Sequence, residues 1–178
     1  MTCFNEVLAQ IAPRQQDEYI FVGDSLMPQQ RIFGGQVVAQ CLMAANQTVN
    51  AAQKAHSLHA YFLLAGDPAT PIDFEVDPIR DGRSFSTRRV VARQNGEAIF
   101  ITSISFHQDE EGVSHCFEMP VVTAPRAEAD DLSELRGFTT KPGDPNLITL
   151  YKIERQRVTK YLAESQPPIG RSWFRAVG

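Results

Sequence analysis

From Ile32 to Gln53 the chain carries no Asp, Glu, Lys, Arg or His. The stretch opens on Gly34-Gly35, and then Val37, Val38, Cys41, Leu42, Ala45 and Val49 recur at three- and four-residue intervals. That period predicts one helix over about residues 35–51. Its opposite face carries only Gln40, Asn46, Gln47 and Asn50. A helix with so little polar surface is enclosed by other structure, so the rest of the chain has to supply a wrapping.

The next residues have the character of that wrapping. Four strand-like runs follow, at residues 56–64, 71–80, 84–94 and 98–108. They are separated by Ala65-Gly66-Asp67-Pro68, by Asp81-Gly82 and by Asn95-Gly96. Asp-Gly and Asn-Gly between β-rich runs signal hairpins, so these strands are expected to be neighbours in an antiparallel meander. One helix with such a sheet makes an α+β fold. Upstream, residues 5–11 read as a short helix and 19–22 as a short strand. Downstream, residues 109–146 are rich in acids and prolines and read as a linker. Strand-like runs resume at 147–161 and 172–176. The organisation expected is a domain over 1–108, a linker over 109–146, and the beginning of a second, incomplete unit over 147–178.

Composition removes several function classes. The net charge is −4 and no Lys/Arg cluster stands out, so no nucleic-acid footprint is indicated. Arg88-Arg89, with Arg83 and Arg93 nearby, alternates with apolar residues and reads as a solvated strand face, with a local phosphate contact as the alternative. Cys3, Cys41 and Cys116 are too few and too widely spaced for a disulfide framework or a metal cluster. No secretory leader is read, and no apolar run reaches the ~18 residues of a membrane span. The C-terminal Arg-Ala-Val-Gly is not a peroxisomal address. A reducing cytoplasm is the expected location.

The segments "RIFGGQVVAQ", "HSLHAYFLLAGDPATPI", "IRDGRSFSTRRVVARQNGEAIF" and "ITSISFH" resemble the acyl-CoA thioesterase II family over about residues 22–107. The resemblance implies a double hotdog, each half an antiparallel sheet wrapped around a central helix. Residues 1–108 then form the N-terminal hotdog, and 147–178 resemble the start of the second. It further implies hydrolysis of acyl-CoA to free fatty acid and CoA, with no metal or organic cofactor. The family's catalytic Asp, Ser or Thr, and Gln belong to the second hotdog, beyond Gly178, and no position here receives them. The expected partners are the acyl-CoA substrate and a second hotdog or another copy of the chain. The alternative is a non-catalytic hotdog module that binds acyl chains or pairs with another subunit. A hotdog hydratase would need a helix acid or an Asp–His pair, and the helix offers neither.

The substrate-binding candidates are Gly34, Gly35, Gln36 and His56. Glycine lets backbone approach closely, and a helix N-terminus presents N–H groups able to hold a carbonyl oxygen or a phosphate. A tight turn into a packed helix explains the same glycines. Gly34-Gly35 is no P-loop, because the Lys-Ser/Thr is missing. His56 and His59, three apart on one predicted strand, are expected on opposite faces. His56 reads as a polar contact to substrate or to the second hotdog, or as a hydrogen-bonded structural histidine. His107 and His115 read as solvated. Ser84, Ser86 and Thr87 have no base in evidence and default to turn and pairing roles. Asp67 and Asp81 read as turn residues.

Overall fold

The structure is a computed structural model that describes residues 4–26, 31–122, 124, 153–157 and 172–176. The chain divides into two compact units, one of residues 10–113 and one of 1–9 with 114–178. In chain order the elements are α1 (Phe4–Ile11), β1 (Arg14–Asp17), β2 (Ile20–Gly23), α2 (Gly34–Asn46), β3 (Gln53–Phe62), β4 (Ile72–Asp81), β5 (Phe85–Gln94) and β6 (Glu97–Gln108). Two further strands, β7 (Ile153–Arg157) and β8 (Ser172–Ala176), pair antiparallel with each other. The remainder of the expected 147–161 run lies outside the described residues.

β1 to β6 form one antiparallel sheet in the order β1-β2-β4-β5-β6-β3. The α+β hotdog arrangement is therefore present: α2 lies over β5, with β4 and β6 on either side. The hairpin signals are partly obeyed. Asn95 (φ 51°) and Gly96 (φ 83°) make the two-residue turn between β5 and β6, as left-handed Asn-Gly demands. The β4–β5 turn is longer: Asp81 ends β4, and the Gly82 N–H donates to the Phe85 carbonyl at 2.8 Å. The simple meander is corrected for the strand expected at 56–64. β3 crosses over and pairs with β6 on the far edge, Leu58 facing Ile104 and Phe62 facing Phe100. Turn residues specify only sequential neighbours, and the 65–70 segment is no tight hairpin.

Alternation along β4, β5 and β6 sends Phe74, Val90, Ala92, Phe100, Ile104 and Phe106 inward. α2 meets them with Val37, Cys41, Ala44 and Ala45, small enough for close packing. Burial pushes the Cys41 thiol pKa up, which keeps it a neutral core residue. Enclosure is incomplete: Val38, Ala39, Leu42 and Met43 are half-buried, although Val38 and Leu42 still pack against the core. Gln40, expected on the polar face, is wholly buried on the inner side. The helix also ends earlier than expected, at Asn46, where the Thr48 hydroxyl donates to the Ala45 carbonyl at 2.8 Å. Val49 still packs against the core from outside the helix, which is why the apolar period ran on.

Arg88 departs from the expected solvated face: it is 2% exposed. Its guanidinium carries five N–H donors. Nε meets Thr48 Oγ1 (2.8 Å), Nη1 meets the carbonyls of Arg80 (3.1 Å) and Thr87 (3.2 Å), and Nη2 meets the Thr48 carbonyl (2.8 Å) and Asp81 Oδ1 (2.7 Å). One side chain thus ties the exit of α2 to the β4–β5 turn. Arg88→Ala removes every one of these donors while the Asp81 carboxylate stays largely solvated, and urea unfolding is expected to show a loss of about 1–3 kcal/mol from the acceptors left behind. Arg88→Lys is expected to restore only part of it, because an ammonium cannot reach acceptors spread around a planar fork.

Candidate functional site

At the start of α2 a cleft of about 320 Å³ opens between three segments. Ile32, Gly34 and Val37 come from the helix entry, Phe62, Leu63 and Leu64 from the end of β3, and Ile99 and Phe100 from the start of β6. The lining side chains are mostly apolar, backbone polar groups share the exposed surface with them, and Arg31 is the one charged residue among the described residues of the lining.

Its frame is backbone fastened to backbone. The N–H groups of Leu63 and Leu64 both donate to the Ile99 carbonyl, at 2.9 and 3.2 Å, and that of Ile32 donates to the Gly66 carbonyl at 3.3 Å. Gln94, buried, holds the following turn: its Oε1 accepts from the Asp67 N–H (2.8 Å), and its Nε2 donates to the carbonyls of Asp67 (2.8 Å) and Thr70 (2.6 Å). The Asp67 carboxylate accepts from the Ala69 N–H (3.0 Å) and the Thr70 hydroxyl (2.8 Å), and these bonds lower its pKa. Asp67 is a turn residue, as its sequence setting implied.

The four candidates do not converge. Gly34 lines the cleft. Its reason is an aromatic ring: a Cβ there would stand 2.6 Å from Cε1 of Phe62. Gly35 is exposed, and its missing Cβ is the space taken by the Phe33 ring, 2.5 Å away. Gln36 is turned inward and is 1% exposed. Its Nε2 donates to the Asp24 carbonyl (2.9 Å) and to Gln40 Oε1 (3.2 Å), and its Oε1 accepts from the Leu26 N–H (3.2 Å). Gln40 extends the clamp, donating to the carbonyls of Ile11 (3.0 Å) and Asp24 (3.1 Å). This amide pair pins the 23–26 segment to the helix.

His56 lies on the other face of the sheet, bonded to Ser105 Oγ at 2.9 Å. It sits six residues along β3 from Phe62, roughly 20 Å at the rise of an extended strand. The expectation that His56 and His59 point to opposite faces fails. The β3–β6 register shifts between Ala55 and Ser57, and this irregularity turns His56 to the side that His59 and Tyr61 already share. His107 is not solvated either: its ring stacks on Phe85, centroids 4.1 Å apart, with Glu110 Oε2 at 3.6 Å. Among the described residues no three His, Cys, Asp or Glu are grouped to hold a metal ion, and no helix is long and apolar enough to cross a membrane.

Residues 24–107 match the model of the acyl-CoA thioesterase N-terminal domain. The chain is 42% identical over 130 residues to acyl-coenzyme A thioesterase 8 of Mus musculus, covering 72% of this chain and 40% of that one. The chain belongs to the acyl-CoA thioesterase II family. Acyl-CoA thioesterase 2 of Haemophilus influenzae is 37% identical over 170 residues, 91% of this chain and 59% of its own length. The solved structure of the tesB protein of Mycobacterium avium subspecies paratuberculosis superposes with a TM-score of 0.76 at 32% identity, covering 99% of this chain and 62% of that one. The chain thus spans between 40% and 62% of the length of these family members.

Sequence reasoning passed over Phe62 and Arg31. Phe62 looked like one more apolar strand residue, and the signal for it was its pairing in space with a glycine 28 positions earlier, which no period reveals. The Gln36 clamp yields a direct check. Gln36→Leu removes partners of part-buried backbone groups at Asp24 and Leu26 while leaving the cleft walls in place, so chemical denaturation is expected to show a loss of about 1–2 kcal/mol.

Proposed function

We propose that the chain is the N-terminal hotdog of an acyl-CoA thioesterase and that the cleft at the start of α2 receives the acyl chain. The observation that carries this reading is the cleft's composition: apolar side chains with one cation, Arg31, exposed among them, and backbone polar groups between. Such a site suits an amphiphile whose apolar tail adjoins an anionic head, and an acyl-CoA is one. The thioesterase relatives favour hydrolysis over a purely non-catalytic module.

In the reaction proposed, water adds to the thioester carbonyl, the C–S bond breaks, and CoA leaves as a thiol while the acyl group leaves as a carboxylate. The developing oxyanion requires aimed donors. The N–H groups of Gly34 and Gly35 precede the first intrahelical acceptor, whereas those of Gln36 and Val37 already donate to the Phe33 carbonyl (2.9 and 3.4 Å). We assign Gly34 and Gly35 to the carbonyl side of the substrate and leave Gln36 to its clamp. The described residues place no carboxylate beside the cleft, so the base and the remaining donors belong to a second hotdog, for which residues 147–178 supply the beginning and 109–146 the link. Action in the cytoplasm fits the free thiols of Cys41 and Cys116.

Titrating the chain with a medium-chain acyl-CoA is expected to show binding that Arg31→Ala weakens and rising salt screens. Its turnover is expected to fall below that of a complete double hotdog by about 10²–10⁴-fold for want of the base, and by about 10²–10³-fold more for each missing donor. Turnover matching a complete enzyme would place the machinery in this half and overturn the reading.

The same fold proposes how the second hotdog docks. β3 is an edge strand and presents Leu58, Tyr61 and Phe62 exposed. An open apolar edge invites another strand. The chain is expected to self-associate through β3, or to pair there with a second hotdog, joining sheets side by side. Light scattering at high concentration checks this, and a stable monomer counts against it.

A further inference from the structure

We infer that Phe62 sets the length of acyl chain that the cleft accepts, with Gly34 as the seat of its ring; the inference rests on the acyl-binding reading above. The cleft has two kinds of wall. Ile32, Val37, Ile99 and Phe100 are buried in the core and cannot move without disturbing it. Phe62, Leu63 and Leu64 are exposed, and the two leucines follow a backbone fastened to Ile99. Phe62 is the largest of the exposed set, 63% accessible, and its ring is held by contact alone. On one side it tilts against Phe100, centroids 4.9 Å apart and planes at 59°. On the other it rests on the helix entry, where a Cβ at Gly34 would lie 2.6 Å from Cε1 and 2.9 Å from Cζ. A bulky side chain anchored to the core on one edge and to a glycine on the other defines the cleft's capacity while contributing little to the core. Changing its size therefore changes the space for hydrocarbon without unmaking the fold.

The experiment measures binding of non-hydrolysable S-alkyl-CoA thioethers of increasing chain length by calorimetry, to the 178-residue chain and its variants. Each methylene that finds apolar contact improves affinity about 4-fold, until the cleft is full. Wild type is expected to climb and then level off. Phe62→Ala and Phe62→Leu are expected to move the levelling-off to longer chains, and Phe62→Trp to shorter ones. Ile79→Ala, which removes a comparably exposed apolar side chain on β4 outside the cleft lining, is expected to leave it unchanged. Two conservative variants beside the truncation keep the comparison available if Phe62→Ala unfolds. Wild-type binding that levels off at the same length in every folded Phe62 variant overturns the inference and leaves the acyl-binding reading standing. No binding by wild type at any length overturns both.

Discussion

The central constraint is that a helix without a charge must be covered on its inner side, and every polar group that enters with it must be closed off. α2 meets the sheet through Val37, Cys41, Ala44 and Ala45, so backbone and sheet approach closely. A buried polar group left without a partner costs far more than an average hydrogen bond contributes. The fold meets that demand at both ends of the helix. At the start, Gln36 and Gln40 spend their amides on the carbonyls of Asp24 and Ile11 and on each other. Past the end, Arg88 rises from β5 to take the Thr48 hydroxyl and carbonyl. Each cluster also fixes a neighbouring segment, the 23–26 stretch in one case and the β4–β5 turn in the other. Covering the helix and aligning the strands are the same set of contacts.

How legible the fold was depended on the range of the interaction responsible. β4, β5 and β6 could be read to within a residue or so, because alternation and the Asn95-Gly96 turn are local properties. β1 could not, since Arg14-Gln15-Gln16-Asp17 is exposed throughout and carries no apolar alternation. The place of β3 beside β6 is decided by packing, not by a turn. The end of α2 at Asn46 depends on Thr48 meeting Arg88, 40 residues away. The inward turn of Gln40 escaped for a related reason. Hydrophobic periodicity assigns amides to the solvent face, and only the position of the Asp24 carbonyl reverses that.

The candidate site was less legible than the fold. The paired glycines were read as places where backbone approaches closely, at a substrate group or in a tight turn. What approaches in the structure is the Phe62 ring at Gly34 and the Phe33 ring at Gly35. His56 was misplaced because strand parity assumes an unbroken register, and the register shifts between Ala55 and Ser57. Phe62 and Arg31 were overlooked because one resembles any strand residue and the other lies in a polar approach to the helix. Their significance arises only when three segments distant in sequence meet.

That meeting ties the cleft to the closing of the sheet. One wall starts the helix, one ends an edge strand, and one begins the strand that pairs with that edge. The Ile99 carbonyl accepts both N–H groups with which β3 runs out, so the end of β3 cannot shift without moving the β6 wall. Gly66 passes so close to Ile32 that a Cβ would lie 2.7 Å from its Cδ1, which couples the turn after β3 to the helix entry. Gln94, at the end of β5, holds that turn from behind. A cleft framed in this way is preorganised: the protein already holds its buried walls in place, so little ordering entropy is left to lose on filling it. On the acyl-binding reading proposed above, selectivity falls to the side chains that the frame does not immobilise, and the largest of these is the ring resting on Gly34.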